Sequence, residues 1–283
     1  MTASALRRVF PSRHRGITLA GVLVIGALAL AAALAPWIVP GSPTEIARDH
    51  ALRAPTLGQP FGMDDLGRSM LSRVVHAYRV SLGVAIVSVA LALAAGVPLG
   101  LVAGYAEGVL DQLIMRPLDV LMSFPAILLS IALMSVFGTG VVLVAASLAV
   151  VYTPIVARVV RAAVLAAKVE VYVDGARALG APVPRLVLRH ILPNAATPVL
   201  VQASVLMAIA ILVEASLSFL GVGVRPPTPS LGLMLADGRG FMVQAPWMVI
   251  FPGLAIMAAV LGFNMVADGL RDWLDPQQAT GRS

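Results

Sequence analysis

A run of 38 residues without a charged side chain, residues 120–157, constrains this chain more than any other feature. As a single helix it would be about 57 Å long at about 1.5 Å per residue, whereas the hydrocarbon core of a bilayer is about 30 Å thick. The run is therefore predicted to form two membrane spans that turn at Gly138-Thr139-Gly140.

Four more apolar runs are long enough to cross a membrane, which takes about 20 residues. Composition agrees with this interpretation, because only 12% of the residues are charged, against about 25% in an ordinary soluble domain. The sequence thus predicts an all-α, polytopic membrane protein with six transmembrane helices. The four additional runs are residues 16–44, 80–106, 195–223 and 247–267.

Basic residues predict the orientation of these spans. Four arginines precede the first span, which favours a cytoplasmic N-terminus under the positive-inside rule. Six spans return the C-terminus to the same side, and 13 of the 20 basic residues then lie in the cytoplasm. The first run is too long for the apolar core of a signal peptide, which has about 7–15 residues. The four arginines are Arg7, Arg8, Arg13 and Arg15.

Three glycines recur every four residues in the second predicted span, at Gly96, Gly100 and Gly104. This spacing leaves a flat face on which a second membrane helix can pack closely. It predicts a contact between helices rather than a ligand site.

A charged segment, residues 165–194, separates the fourth and fifth predicted spans on the cytoplasmic side. Residues 168–179 favour a helix, and Gly180 stands where a left-handed residue would end it. Pro184 can open a second short helix at its first position, and Pro193 is predicted to end that helix. On these residues alone, a docking element and an ordinary surface loop are equally good interpretations.

The order of residues in this segment favours docking. Asp174-Gly175-Ala176, Gly180 and His190-Ile191-Leu192-Pro193 together resemble the EAA loop of binding-protein-dependent ABC importer permeases. In that family the loop is the coupling helix, which sits in a groove of the ATP-hydrolysing subunit. The chain departs from the family pattern at Asp174, Gly175 and His190, where glutamate, alanine and isoleucine are usual. The resemblance assigns to this ATPase-coupling loop Asp174, Gly175, Ala176, Gly180, His190, Leu192 and Pro193.

Further stretches resemble the C-type permeases of dipeptide, oligopeptide and nickel importers within this family. They are PFGMDDLGRSMLSRVVHAYRVSLG at residues 60–83, ILVEASLSFLGVGVRPPTPSLGLMLADGR at residues 211–239, and the LRD…LDP ending. The resemblance covers residues 61–276 and implies the type I ABC importer permease fold. The implied division is a cytoplasmic basic tail at 1–15, a first transmembrane helix at 16–40, an external loop at 41–79, a five-helix core at 80–271 that includes the loop 165–194, and a cytoplasmic tail at 272–283.

The resemblance also implies a function and partners. The chain would form half of a translocation pathway in a bacterial inner membrane, for a peptide or a related solute such as glutathione or nickel. Its implied partners are a second homologous permease subunit, two ATP-binding subunits, an external substrate-binding protein and membrane lipid, with no nucleic acid. ATP and Mg²⁺ would be bound by the ATPase subunits and no cofactor by this chain.

The sequence lacks the motifs that would suggest an enzyme. A phosphate-binding GxxxxGK[ST] loop needs a lysine, and Lys168, the one lysine, lies in AAVLAAKVEVY. HExxH, CxxC and GxSxG are absent from the sequence, and the four histidines have no metal-site spacing.

Glu214 is the only charged residue between Arg189 and Arg225. A carboxylate inside a membrane span is a functional hypothesis by default. It could bind a cation or a peptide amine or relay protons, and the chain would then be an ion- or proton-coupled secondary transporter. The favoured interpretation is a structural hydrogen bond to Ser216, Ser218 or a neighbouring helix. A membrane scaffold that transports nothing is a third possibility.

Other polar residues are less informative. Asn264 is predicted to be buried in the last span, where it could pair with another helix or line the path. Asp64 and Asp65 invite a metal or acid–base interpretation, but no second group of ligands accompanies them. A helix N-terminus beginning near Leu66 is the favoured interpretation, because its dipole attracts carboxylates.

Overall fold

The computed structural model describes residues 12–39 and 42–274 of the chain. Within those ranges the chain is helical apart from turns and two isolated bridges, so the all-α prediction is confirmed. Most of the two predicted tails, together with Pro40 and Gly41, lies outside the described residues.

The main helices follow one another with short connections. They are α1 (Ser12–Ala33), α2 (Met70–Ala106), α3 (Gly108–Met122), α4 (Ala126–Phe137), α5 (Val141–Lys168), α6 (Val171–Ala178), α7 (Leu192–Phe219), α8 (Leu231–Gly238) and α9 (Trp247–Leu274). Short helical turns lie at Ala35–Ile38, Arg48–His50, Val183–Arg185 and Arg239–Phe241, and a π-helix at Leu186–Ile191.

In the described ranges, five helical stretches are long and apolar enough to cross a membrane. The pair α3 and α4 makes a sixth if it is counted as one span, but its two helices meet at 94°. Proline disfavours helical conformation in the residue before it, so Pro125 breaks the third predicted span. The five continuous stretches are Gly16–Ala33, Met70–Ala106, Val141–Lys168, Val183–Phe219 and Trp247–Trp273.

Two spans are longer than predicted because the charges at their ends are paired. α2 begins at Met70 rather than near residue 80, and Arg73, which was assigned to a loop, is buried in its first turns. α5 continues past residue 157 to Lys168. Arg158 and Arg161, the first charged residues after the 38-residue run, lie within the helix and bind acidic residues of α3.

The glycine face of α2 packs against α5, as the sequence predicts. A Cβ atom added to Gly100 would lie 2.5 Å from the carbonyl oxygen of Ala157. Added to Gly96 and Gly104, it would lie 2.7 and 2.8 Å from the Cβ atoms of Val156 and Val164. The two backbones are therefore too close for any side chain larger than hydrogen.

We expect Gly100→Ala to lower the free energy of unfolding by about 1–3 kcal/mol, because overpacking forces the helices apart. Gly83 is the matched control on the same helix, since a Cβ there meets nothing within 4 Å. Gly83→Ala should stabilise the chain by up to about 1 kcal/mol through helix propensity. Thermal unfolding of the two variants in mild detergent measures both changes, and equal stabilities would contradict the close packing.

Peripheral elements also pack through glycine. α1 lies along α9, where a Cβ on Gly21 would be 2.7 Å from the Cβ of Met265. α8 is wedged between α7 and α9: a Cβ on Gly232 would be 1.9 Å from the carbonyl oxygen of Ala215. These close approaches attach the first span and the short helix α8 to the core.

Candidate coupling site

The charged segment at residues 165–194 begins with a break between α5 and α6. A single helix was predicted from Lys168 to Leu179, but α5 ends at Lys168 and α6 begins at Val171. Glu170, in extended conformation with ψ 141°, precedes α6 as its N-cap. The segment therefore contains one two-turn helix that is separate from the span.

The C-terminus of α6 is a Schellman motif, which ends a helix by a pair of backbone hydrogen bonds. Gly180 has φ +78°, as its position in the sequence predicts. Its N–H donates to the carbonyl of Arg177 at 3.0 Å, and the Ala181 N–H donates to that of Ala176 at 3.1 Å. A residue with a side chain would be strained at position 180.

The second short helix was predicted to end at Pro193, and this prediction is wrong. Helical structure begins at Val183, continues through the π-helix Leu186–Ile191 and runs into α7 without stopping at Pro193. Pro193 lies in the first turn of α7, where its missing N–H and fixed φ are tolerated. In the preceding π-helix the hydrogen-bond register changes, since the Leu192 N–H donates to the carbonyl of Val187, five residues back.

Two hydrogen bonds of Asn194, which the sequence did not suggest, form a clasp at the end of this segment. The Asn194 amide, one residue after Pro193, donates to the Tyr172 hydroxyl and, at 3.2 Å, to the carbonyl of His190. Tyr172 is on α6, so the clasp joins α6 to the beginning of α7. The 22-residue separation leaves no local pattern from which it could have been read.

The segment has a buried side and an exposed side. Val173, Leu186 and Ile191 are buried and hold it against the spans. The exposed side carries large apolar residues, among which Leu179 is 90% exposed, and we take it as a candidate interaction site. We call this exposed side, with Gly175 and its neighbours, the coupling surface: Val169, Val171, Tyr172, Asp174, Gly175, Ala176, Leu179, Val183 and Leu188.

Small residues lie in the middle of the coupling surface. Gly175 is exposed, and a Cβ added to it would meet nothing within 4 Å. The fold of this chain therefore does not need glycine there. Asp174 is exposed and pairs with Arg177 at 2.9 Å, one turn along α6. His190 and Leu192 are half-buried and Pro193 is exposed, beside α6 rather than on it.

Lys168, the last residue of α5, is a further residue whose contacts the sequence did not predict. Its ammonium group donates to the Glu107 carboxylate at 2.6 Å and to the carbonyl of Tyr105 at 3.1 Å. It also lies 5.6 Å from the centre of the Tyr105 ring. We call the charged segment at residues 165–194 the coupling segment. Lys168, near its beginning, thus connects this segment to the junction between α2 and α3.

Glu214 is completely buried in α7 and accepts hydrogen bonds from three serine hydroxyls. Ser218 lies one turn further along α7 and donates at 2.9 Å. Ser81 of α2 donates at 2.7 Å, and Ser230, the N-cap of α8, at 2.9 Å. The predicted bond to Ser218 is present, whereas Ser216 donates to the carbonyl of Leu212 instead. Glu214 therefore joins three helices.

Asp64 and Asp65 do not begin a helix, so that prediction is wrong. Asp64 is completely buried and binds the guanidinium groups of Arg68 and Arg73, each at 2.5 Å. Arg73 reaches Asp237 of α8 at 3.3 Å. In the described part of the chain, no group of three His, Cys, Asp or Glu side chains is arranged to hold a metal ion.

Asp65 lies beside this cluster and is half-buried. Burial raises its pKa above the ordinary value of 3.8, and the nearby Asp64 carboxylate raises it further. The guanidinium of Arg68, 3.7 Å away, opposes both effects. Asp64 and Asp65 therefore have different surroundings although they are adjacent.

Residues 96–280 match the family model described as "Binding-protein-dependent transport system inner membrane component". The chain belongs to this family. Two similar curated relatives are dipeptide transport system permease proteins DppC, 41% identical in Alkalihalophilus pseudofirmus (92% of this chain, 86% of the relative) and 42% identical in Haemophilus influenzae (94% and 92%). The glutathione transport system permease protein GsiD of Pectobacterium atrosepticum is 43% identical (81% and 76%).

A solved structure has a fold similar to that of this chain. A chain of the MetNI methionine ABC transporter, in an inward-facing crystal form, aligns with a TM-score of 0.57 over 71% of this chain and 97% of its own length. At 17% identity the likeness concerns the fold alone. The predicted type I ABC importer permease fold is thereby confirmed.

Membership in the family confirms the resemblance that the loop and the two longer motifs indicated. As a member of this family, the chain is a multi-pass inner-membrane permease. The individual roles assigned to Asp174, Gly175 and Ala176 stay predictions. The burial predicted for Asn264 is wrong, because its side chain is exposed in this chain. A role of Asn264 in lining the path stays a prediction.

Proposed function

We propose that this chain is the pore-forming subunit of an ATP-driven importer for dipeptides or other short peptides, with the coupling surface as the docking site of an ATPase subunit. The coupling surface is the observation that carries the proposal. Peptide uptake is supported by the dipeptide and glutathione permeases that are 41–43% identical to the chain. One ATPase would dock on this chain and a second on a homologous permease subunit.

The shape of the coupling surface supports docking. α6 is fixed to the spans by the buried Val173 and by the Tyr172–Asn194 clasp. On the other side, Leu179 and Val171 are almost fully exposed. A rigid element with exposed apolar side chains binds a partner at low entropic cost, because little is ordered on binding. Gly175 leaves room for the backbone of the partner.

Charge supports the proposed orientation, with this surface and both termini in the cytoplasm. The segment between α5 and α7 contains three arginines, Arg177, Arg185 and Arg189, all of them exposed. Basic loops of this length are kept on the cytoplasmic side. The loop at residues 42–69 would then face outward, where an external binding protein delivers the substrate.

Transport would proceed by alternating access. ATP-driven closure of the two ATPase subunits would move α6, and the spans attached to it would change between inward-open and outward-open arrangements. Such a step requires that the ATPases bind one arrangement better than the other. The MetNI chain, to which the fold is similar, is described as inward facing.

An ion-coupled secondary transporter with Glu214 as its ion site is less well supported. The carboxylate already accepts three serine hydrogen bonds and is completely buried. Buried polar groups satisfied in this way rigidify a core. We infer a structural role for Glu214, as a joint between α2, α7 and α8.

The test is to purify the tagged chain from its native membrane in mild detergent and to identify its partners by mass spectrometry. We expect ATP-binding subunits and a second permease in stoichiometric amounts. Reconstituted into liposomes with its binding protein, the complex should accumulate a radiolabelled dipeptide only when ATP is supplied. Recovery of the chain alone, with uptake driven by an ion gradient, would refute the importer.

A further inference from the structure

The junction between α2 and α3 has an unusual backbone. Glu107 has φ +53° and Gly108 has φ +61°, so two consecutive residues lie in the left-handed region. A side-chain-bearing residue in that region is strained and persists only where its surroundings hold it. Glu107 is the only residue between the two helices, since α2 ends at Ala106 and α3 begins at Gly108.

Lys168 is the group that holds this junction. Its bond to the carbonyl of Tyr105 satisfies one of the last acceptors of α2, and its charge is favourable at the C-terminus of a helix. Its ion pair with Glu107 fixes the strained residue itself. An ammonium group suits this position because its three donors point in different directions, whereas a guanidinium is a planar fork. Among the 20 basic residues of the chain, Lys168 is the one lysine.

Two more ion pairs continue along α3. Arg161 of α5 binds both carboxylate oxygens of Asp111 at 2.6 Å, and Arg158 binds Asp119 at 2.6 Å. The three acidic residues of α3 and its junction are therefore all paired with basic residues of the last turns of α5. A displacement of this end of α5 must move α3 or break these pairs.

We call the three ion pairs that join α5 to α3 and to its junction the clamp. The clamp is close in the chain to the coupling surface. Lys168 is three residues before Val171, the first residue of α6. At its other end, α3 meets α4 at 94° next to Pro125. α3 thus lies between a strained junction and a sharp bend, and the coupling segment is attached to it at the junction.

We propose that Lys168 is a positioning residue for transport: it makes α3 follow the coupling segment, so that movement of α6 turns α3 about the Glu107–Gly108 junction. The inference rests on the proposed function, because it takes α6 as the element that the ATPase moves. In this proposal α3 is the first part of the spans to move when α6 moves, and the contacts of Lys168 transmit that movement to α3.

The experiment measures this movement directly in the complete complex. The chain contains no cysteine, so Val102→Cys on α2 and Val120→Cys at the far end of α3, both at exposed positions, place two spin labels without background from this chain, and the labelled chain is assembled with unlabelled partner subunits. Their distance is measured by electron paramagnetic resonance with and without ATP and vanadate. In the parent complex we expect a shift on trapping. In Lys168→Met the shift should fall to less than half, and uptake per ATP hydrolysed should fall about tenfold, a typical coupling effect.

Three variants separate positioning from folding. Glu107→Gln removes the partner carboxylate and keeps the lysine, and it should reproduce the loss in a milder form. Lys168→Arg restores the charge and should recover part of the distance shift. Arg116→Met removes a positive charge from the exposed face of α3 and should leave the shift unchanged.

Each outcome decides between the two proposals. An unchanged distance shift in Lys168→Met, in a complex that still binds its ATPases, would overturn the positioning role and leave the importer intact. A parent complex that recruits no ATPase and shows no response to ATP would overturn the proposed function and this inference with it. An equal loss in Arg116→Met would show that charge on α3, not the clamp, is responsible.

Discussion

The Ala176→Arg variant is expected to abolish ATP-driven uptake while the chain still folds and inserts. Ala176 is half-buried on α6 and follows the exposed Gly175, on which an added Cβ would meet nothing within 4 Å. Its backbone carbonyl, which accepts the Ala181 N–H, is unaffected by the side chain. An arginine there would occupy the space reserved for the partner and introduce a desolvated charge into the contact. We expect uptake to fall at least about 100-fold, equivalent to about 2.7 kcal/mol of lost docking energy.

Two measurements are needed for this variant. Co-purification of the ATPase subunits reports docking, and dipeptide uptake into liposomes reports transport, and both should be lost together. Ala54→Arg is the control for co-purification of the ATPase subunits, because it makes the same chemical change at an exposed position of the loop at residues 42–69, away from the coupling surface. Normal uptake by a well-expressed Ala176→Arg protein would refute the coupling assignment.

The second large effect is expected from Arg73→Met, which should strongly lower the free energy of unfolding and the melting temperature. Arg73 is 3% exposed and binds the completely buried Asp64. Without Arg73, that carboxylate keeps Arg68 and two backbone N–H donors, from Leu66 and Arg68, but loses its buried counter-ion. Removing one partner of a buried ion pair costs about 3–5 kcal/mol, a large fraction of the stability of most domains.

The comparison for Arg73→Met is an exposed ion pair of the same type. Arg177→Met breaks the pair with Asp174, in which both side chains are about half exposed. Exposed pairs contribute about 0–1 kcal/mol, so the melting temperature of Arg177→Met should stay near that of the parent. The double variant Asp64→Leu with Arg73→Met should recover part of the stability, because the buried carboxylate that has lost Arg73 is then removed as well. Equal melting temperatures for Arg73→Met and Arg177→Met would contradict the buried role.

Local signals in the sequence were sufficient for some elements. The charge-free runs predicted the spans because the bilayer requires them. Gly180 predicted the end of α6 correctly, since a left-handed residue is a property of a single position. The spacing of Gly96, Gly100 and Gly104 predicted the contact with α5 because a helix repeats its faces regularly.

Other elements depended on partners that are distant in the sequence. Asp64 and Asp237 both bind Arg73, and the second contact joins residues 164 positions apart. Because of these contacts, the charged Arg73 lies inside α2, at a position where a loop was predicted. Pro193 was assigned to a helix end by its local preference, but the π-helix before it changed the register. Asn264 was assigned to the interior from its polarity within an apolar span, although the face of α9 that it occupies is exposed in this chain.

The two attachments of α8 have a mechanical consequence. Its N-cap, Ser230, is bonded to Glu214 of α7, and Asp237 near its end is bonded to Arg73 of α2. At this end of the bundle, the spans α2 and α7 are joined through α8 and by the buried bond between Ser81 and Glu214. At the other end, the corresponding connections are partly solvated ion pairs around a strained two-residue junction. The bundle is consequently stiff at one membrane face and compliant at the other, so the same applied force deforms the compliant face first.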